Sequence, residues 1–190
     1  MPAALQVREL TGVGEGEIRA LADVLIDCVE GGASVSFMRP LTRARAEAFW
    51  RGVAEGVHRG ERLLLVAEEA AGAIVGTVQV ILNLPENQPH RGDVAKMLVR
   101  RAARRRGAGG ALLAAAERAA LRAGRTLLVL DTVTGGDAER LYARHGWQRC
   151  GEIPNYALFP DGRPCGTTVF FKALDASAGE LPRKDRALGQ

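Results

Sequence analysis

The chain has 190 residues, 26 of them basic and 22 acidic, for a net charge of +4. Apolar residues make up 47% and charged residues 25%, a mixture that suits one globular domain and excludes a mainly disordered chain. Runs such as Leu63 to Ala67 fall far short of the ~20 consecutive apolar residues of a membrane-spanning helix.

Gln6 to Glu9 alternates apolar and polar residues and predicts a short first strand. From Glu15, the residues Ile18, Leu21, Ala22, Leu25, Ile26 and Val29 recur at helical spacing up to the stop Gly31-Gly32. A loop follows to Pro40, and Thr42 is placed to cap a second helix over Arg43 to His58. Arg62 to Glu69 and Ala73 to Leu82 read as a hairpin turning at Ala70-Ala71-Gly72, and Asp93 to Val99 as a further strand. A helix is predicted from Gly109 to Ala123, stopped by Gly124. Thr126 to Val133, nearly all apolar, reads as a strand buried on both faces. Strand, helix and strand at this spacing imply a parallel pair with a right-handed crossover.

Gly135 to Arg144 predicts a short helix ended by His145-Gly146. Trp147 to Ile153 and Thr167 to Ala173 predict a last antiparallel pair, with Pro154 and the turn Pro160-Asp161-Gly162 in the connection. The class is α+β: one domain over residues 1–175 with a mixed sheet and helices on both faces, then a polar tail, 176–190. Met1 to Leu10 shows no cationic region followed by an apolar stretch, so a cytoplasmic protein is expected.

Cys28, Cys150 and Cys165 are widely spaced without a CxxC pair; they are expected to be small buried hydrophobes rather than a disulfide or zinc framework. His58, His90 and His145 lack metal-ligand spacing, so no metal is expected.

Three lysines (Lys96, Lys172, Lys184) leave 23 arginines, and five of these fall between Arg100 and Arg106. Without those five the chain has 21 cations against 22 anions, a net −1. The basicity is therefore local, which suits a small polyanion better than a nucleic-acid backbone. The strand ending at Val99 empties into this arginine run, and Gly107-Ala108-Gly109-Gly110 opens a helix. The first turn of a helix leaves N–H groups unpaired at the positive end of the dipole. Glycines let a phosphate approach them, and guanidiniums supply mobile charge. No lysine follows the glycines as in a Walker loop, and GxGxxG is absent.

Arg104-x-x-Gly107-x-Gly109, followed by Ala138-x-x-Leu141-Tyr142-x-x-x-Gly146-Trp147, resembles the coenzyme A loop and a later signature of the GCN5-related N-acetyltransferases, over roughly residues 5–174. Gly32 to Phe37, Asp93-Val-Ala-Lys, Leu127 to Thr132 and Ile153-Pro-Asn-Tyr156-Ala-Leu look most like the tabtoxin-resistance acetyltransferase branch. The resemblance implies a twisted, mostly antiparallel sheet whose central parallel pair splays to bind acetyl-CoA. It implies cofactor contacts at Met97, Leu98, Val99, Arg104, Arg105, Arg106, Gly107, Ala108, Gly109, Gly110 and Ala111. An N–H of Leu98 or Val99 would serve the oxyanion, and backbone groups of Met97 and Val99 would align the pantetheine arm. Many members carry an asparagine where this chain has Gly135; backbone groups or Asp137 would stand in.

Direct acetyl transfer to an amine needs a proton acceptor, an oxyanion donor and an acid for the thiolate. Tyr142 matches the family's acid, and a phenol of pKa ~10 carries its proton at neutral pH. Asp93 and Asp131 are candidate bases, through a water, or carboxylates that bind the amine; His90 is a third candidate base. Ser34, Phe37, Arg39 and Tyr156 are expected to wall the acceptor pocket. The acceptor is expected to be the primary amine of a small molecule. An antibiotic or toxin, an amino acid, a polyamine and a protein terminus all fit, and a homodimer is left open. A CoA-dependent acyltransferase of other acyl or peptide specificity, a silent CoA sensor and a nucleic-acid-binding module are the competing readings; neither nucleic acid nor membrane is expected as a partner.

Overall fold

Two helices follow a short first strand, and their apolar spacing decides where they lie. Ile18, Leu21, Leu25 and Val29 form the buried face of α1 (Glu15–Glu30), and Ala46, Trp50 and Val53 that of α2 (Arg43–His58). Thr42 caps α2, its hydroxyl accepting from the Arg45 N–H at 3.3 Å. Both faces converge on Leu64, Val66, Ile74 and Leu98, with Trp50 the largest fully buried side chain. The structure is a computed structural model describing residues 5–175, so the tail expected at 176–190 lies outside the described residues.

Among the described residues there are seven strands, β1 (Gln6–Glu9), β2 (Arg62–Glu68), β3 (Ile74–Ile81), β4 (Arg91–Val99), β5 (Leu127–Val133), β6 (Gln148–Leu158) and β7 (Pro164–Ala173). They form one sheet in the order β1-β2-β3-β4-β5-β7-β6. All neighbours are antiparallel except β4 and β5. The opposite face is covered by α3 (Ala108–Arg122), whose small residues Ala115, Ala116, Ala119 and Ala120 lie in the core with Leu112 and Leu113. Full burial of each leucine contributes about 1.5–3 kcal/mol. The alanines let the helix approach the sheet closely, and α4 (Asp137–Arg144) adds Tyr142 to the same core.

The parallel pair is short. Arg91, Gly92 and Asp93 face Leu127, Leu128 and Val129, and the pairing stops there. A Cβ on Gly92 would lie 2.9 Å from Val80 and 3.0 Å from Leu128, so glycine permits the close approach at the base of the pair. Farther along, Ala95 faces Gln79 and Leu98 faces Thr77, so β4 carries one residue more than β3 between those points. This bulge, with Lys96 at φ +52°, bends β4 and increases its local twist. Beyond Asp93 the two strands part.

Three expectations are corrected. On β5, Leu128 and Leu130 are buried, but Leu127 and Val129 are only half buried and Asp131 is exposed; the core of α1 and α2 gathers over β2–β4 and leaves this side of β5 open. The chain around Pro154 is part of β6 rather than a connection, with the register broken between Ile153 and Ala157. An edge strand tolerates proline at such a break because an outward N–H is not needed. Cys150 is exposed on this strand, whereas Cys28 and Cys165 are buried; all three thiols are free.

Candidate active site

The splayed strands leave backbone groups of β4 unpaired on one side. The Arg100 N–H donates to the Val75 carbonyl at 2.8 Å, which sets the phase of the antiparallel ladder. Leu98, opposite Thr77, therefore turns its backbone groups to β3, and Val99 turns its own toward the gap. In agreement, the Val99 carbonyl lies outside the ladder, accepting from Arg104 Nε at 3.1 Å and from Cys28 Sγ at 3.5 Å. Of the two expected oxyanion donors, the ladder engages Leu98 and leaves Val99. Met97 sits in the bulge beside them.

After a short 3-10 turn at Arg101–Ala103, α3 begins. Gly107 caps it at φ +89°, a left-handed conformation that glycine adopts without strain. The first helical bond runs from the Ala111 N–H to the Gly107 carbonyl, so the N–H groups of Ala108, Gly109 and Gly110 have no partner within the helix. The glycines themselves have more than one purpose. A Cβ at Gly109 would meet Leu141 at 3.1 Å, and one at Gly110 would meet His145 at 2.9 Å. Those two admit α4 and the His145 that caps it, whereas a Cβ at Gly107 would find nothing within 4 Å.

The arginine run is less mobile than expected. Arg101 donates from its backbone N–H and Nε to Asp27, at 2.7 and 3.0 Å. Burial works against the Asp27 charge, but these bonds prevail and hold its pKa below the usual value. Arg106 pairs with Glu69 at 2.7 Å, and Arg104 is held by Val99. Among the described residues Arg100 and Arg105 make no ion pair. Unpaired amides at the positive end of a helix, an open strand edge and two unpaired guanidiniums fit the diphosphate and arm of a coenzyme A.

Near the apex of the split, on the face that α3 leaves free, lies a cleft of about 390 Å³ that includes Arg91, Asp93, Asp131, Tyr156 and Thr167 in its lining. Arg91 donates to Asp93 Oδ2 at 3.2 Å, while Oδ1 is buried without a partner. Burial pushes the Asp93 carboxyl above its ordinary pKa; Arg91 opposes the shift and Asp131 adds to it. Asp131 accepts from the Thr167 hydroxyl at 2.8 Å.

Lys96, which sequence reasoning did not single out, reaches Ser36 Oγ at 3.1 Å and lies 5.7 Å from the centre of the Phe49 ring. Burial lowers its pKa, and Asp131 partly restores it. Its sequence signal is slight: a rare lysine within an apolar strand of an arginine-rich chain.

Tyr142 is 4% exposed, its ring against Trp147 and Phe170 at 5.8 and 6.0 Å. Burial first, and Asp131 second, raise its pKa well above that of a free phenol. The charge of Asp131 thus acts on Asp93, Lys96 and Tyr142 together. Neither Tyr142 nor Gly107–Ala111 lines the cleft; they belong to the α3 face and to the far end of the gap.

Tyr156 lines the cleft at 57% exposure, and Phe37 packs edge-on against Phe49 at 5.3 Å. Ser34 and Arg39 instead fasten their loop to the tip of the β6–β7 hairpin. The Ser34 hydroxyl donates to the Leu158 carbonyl at 2.7 Å, the Arg39 N–H donates to that of Pro160 at 3.2 Å, and the Arg39 side chain lies 3.8 Å from Asp161. His90 is exposed and outside the cleft lining. The Gly135 N–H donates to Glu139, and Asp137 is paired with Arg140.

Residues 60–149 match the model of the acetyltransferase (GNAT) domain. That segment is similar to a GNAT acetyltransferase domain. The shared fold extends beyond the matched segment. A GCN5-related N-acetyltransferase from Kribbella flavida is 25% identical, covering 90% of this chain and 98% of its own, with a TM-score of 0.74. A protein assigned as a phosphinothricin N-acetyltransferase is 19% identical, with 90% and 99% covered and a TM-score of 0.74. A Salmonella typhimurium protein assigned as an acetyltransferase, solved with its cofactor acetyl-CoA, is 19% identical, with 91% and 95% covered and a TM-score of 0.73. The matched segment and the shared fold make the chain similar to these acetyltransferases. Among the described residues no group of three or more His, Cys, Asp or Glu could hold a metal, and no helix is long and apolar enough to cross a membrane.

Proposed function

We propose that the protein transfers an acetyl group from acetyl-CoA directly to the primary amine of a small molecule, with antibiotic and toxin amines, including tabtoxin-like ones, within the acceptor class. The observation that carries this reading is the placement of Asp93 and Asp131 where the parallel strands part, with the unpaired amides of α3 at the other end of the same gap. Acetyl-CoA supplies the activated thioester carbonyl. Ala108, Gly109 and Gly110 would hold its diphosphate through their N–H groups, assisted by Arg100 and Arg105, and Val99 would offer the oxyanion a backbone donor.

Asp93 and Asp131 bind the acceptor ammonium and take its proton, directly or through a water. The raised pKa of Asp93 brings it nearer to the range in which a base acts efficiently. Tyr142 is the acid, and its raised pKa keeps it protonated at neutral and mildly alkaline pH. The loop fastened to the hairpin by Ser34 and Arg39 would restrict a long peptide more than a small acceptor.

The test is thiol release from acetyl-CoA with panels of primary amines. Tyr142→Phe is expected to lower kcat by about 10²- to 10⁴-fold while coenzyme A binding, measured by calorimetry, changes little. Binding without release for any amine would instead assign a CoA sensor, and absence of binding would remove the enzyme reading.

A further inference from the structure

Two cations of β4, Arg91 in the cleft lining and Lys96 next to the lining residue Ala95, are not equally satisfied. Arg91 has Asp93 as its partner at 3.2 Å. Lys96, projecting from the bulge of β4, has no carboxylate within 4 Å among the described residues; its neighbours are the Ser36 hydroxyl and the Phe49 ring. The contrast with Lys172 is direct, since that lysine is also partly buried but pairs with Glu117 at 2.8 Å. A partly buried ammonium without a counter-ion loses hydration, and one hydroxyl and a ring face offset only part of that loss. Asp131 is near enough for its charge to reach Lys96, yet it is engaged by Thr167 rather than by the lysine. The carboxylates of the cleft and the ammonium that follows Ala95 on its rim therefore do not neutralise one another.

We propose that Lys96 is a specificity residue that binds the carboxylate of the acceptor, and that the acceptor is a zwitterion of amino-acid size whose ammonium faces Asp93 and Asp131. This rests on the N-acetyltransferase reading above and narrows its acceptor class. Electrostatics separates the candidates: a polyamine would bring a second cation toward Lys96 and be repelled, whereas an amino acid brings the missing anion.

The experiment compares kcat/KM for a set of L-amino acids, their carboxamides and the corresponding decarboxylated amines, measured by thiol release. Wild type is compared with Lys96→Met and Lys96→Arg, each checked by thermal melting. Wild type is expected to favour the best amino acid over its amide by at least about tenfold, as the cost of leaving a buried charge unpaired suggests. In Lys96→Met that ratio should fall toward one, chiefly through a higher KM for the acid, and Lys96→Arg should restore part of it. Equal or better use of amides and amines by wild type would overturn the proposal while leaving the acetyltransferase intact. So would an acid-to-amide ratio unchanged in Lys96→Met. If Lys96→Met does not fold, the wild-type ratio decides. Coenzyme A binding with no release from any amino acid overturns the acceptor class alone, whereas loss of coenzyme A binding overturns the underlying function.

Discussion

At the scale of single residues, Asp93 is a carboxylate that the fold holds at a cost to stability. Its ionised form is disfavoured in the fold because burial outweighs the attraction of Arg91. A carboxyl whose folded pKa is raised costs nothing when both states are protonated, and opposes folding once pH rises through its unfolded value of ~3.9 and on through the higher folded one. Asp93→Asn keeps the shape and removes the charge. It should raise Tm slightly at pH 7, and the gain should disappear near pH 3.5, while thiol release falls at least about tenfold. A lower Tm at pH 7 would mean that the bond to Arg91 outweighs burial. The identities of Asp93, Asp131 and Tyr142 were legible as candidates because few polar residues interrupt the apolar strands and the later motif. Lys96 was not, because its importance comes from the absence of a nearby carboxylate, a property of three dimensions alone.

At the scale of elements, the join between β4 and α3 carries the cofactor argument. Gly107 holds the left-handed conformation that ends the arginine loop and aims the first turn of α3. Gly107→Ala has room for its methyl group, so its effect would come from backbone strain, about 1 kcal/mol. The expected outcome is a modest loss of Tm with a several-fold rise in the KM for acetyl-CoA and little change in the KM for the amine. An unchanged KM for acetyl-CoA would separate that turn from cofactor binding. The arginine-glycine pattern located this join from sequence, but it overstated the free charge, since Asp27 and Glu69, far away in the chain, hold Arg101 and Arg106. The β4 bulge was hidden for a related reason: the extra residue is defined by the register against β3, and nothing in Lys96-Met97 alone announces it.

At the scale of the whole molecule, helix periodicity and turn residues sufficed for the order of the elements and for the parallel pair. They could not show that the core of α1 and α2 leaves β5 and β7 open, because coverage depends on how the layers are offset. That offset makes one side of an apolar strand the floor of a cleft and leaves Asp131 on it. Acetyl transfer at this site requires the coenzyme to occupy the gap between β4 and β5 with its diphosphate on α3. Titration of coenzyme A into ¹⁵N-labelled protein, followed by amide chemical shifts, tests this most directly. The largest changes are expected at Val99, Ala108, Gly109 and Gly110; saturable binding with those amides unmoved, and the changes confined elsewhere, would contradict it.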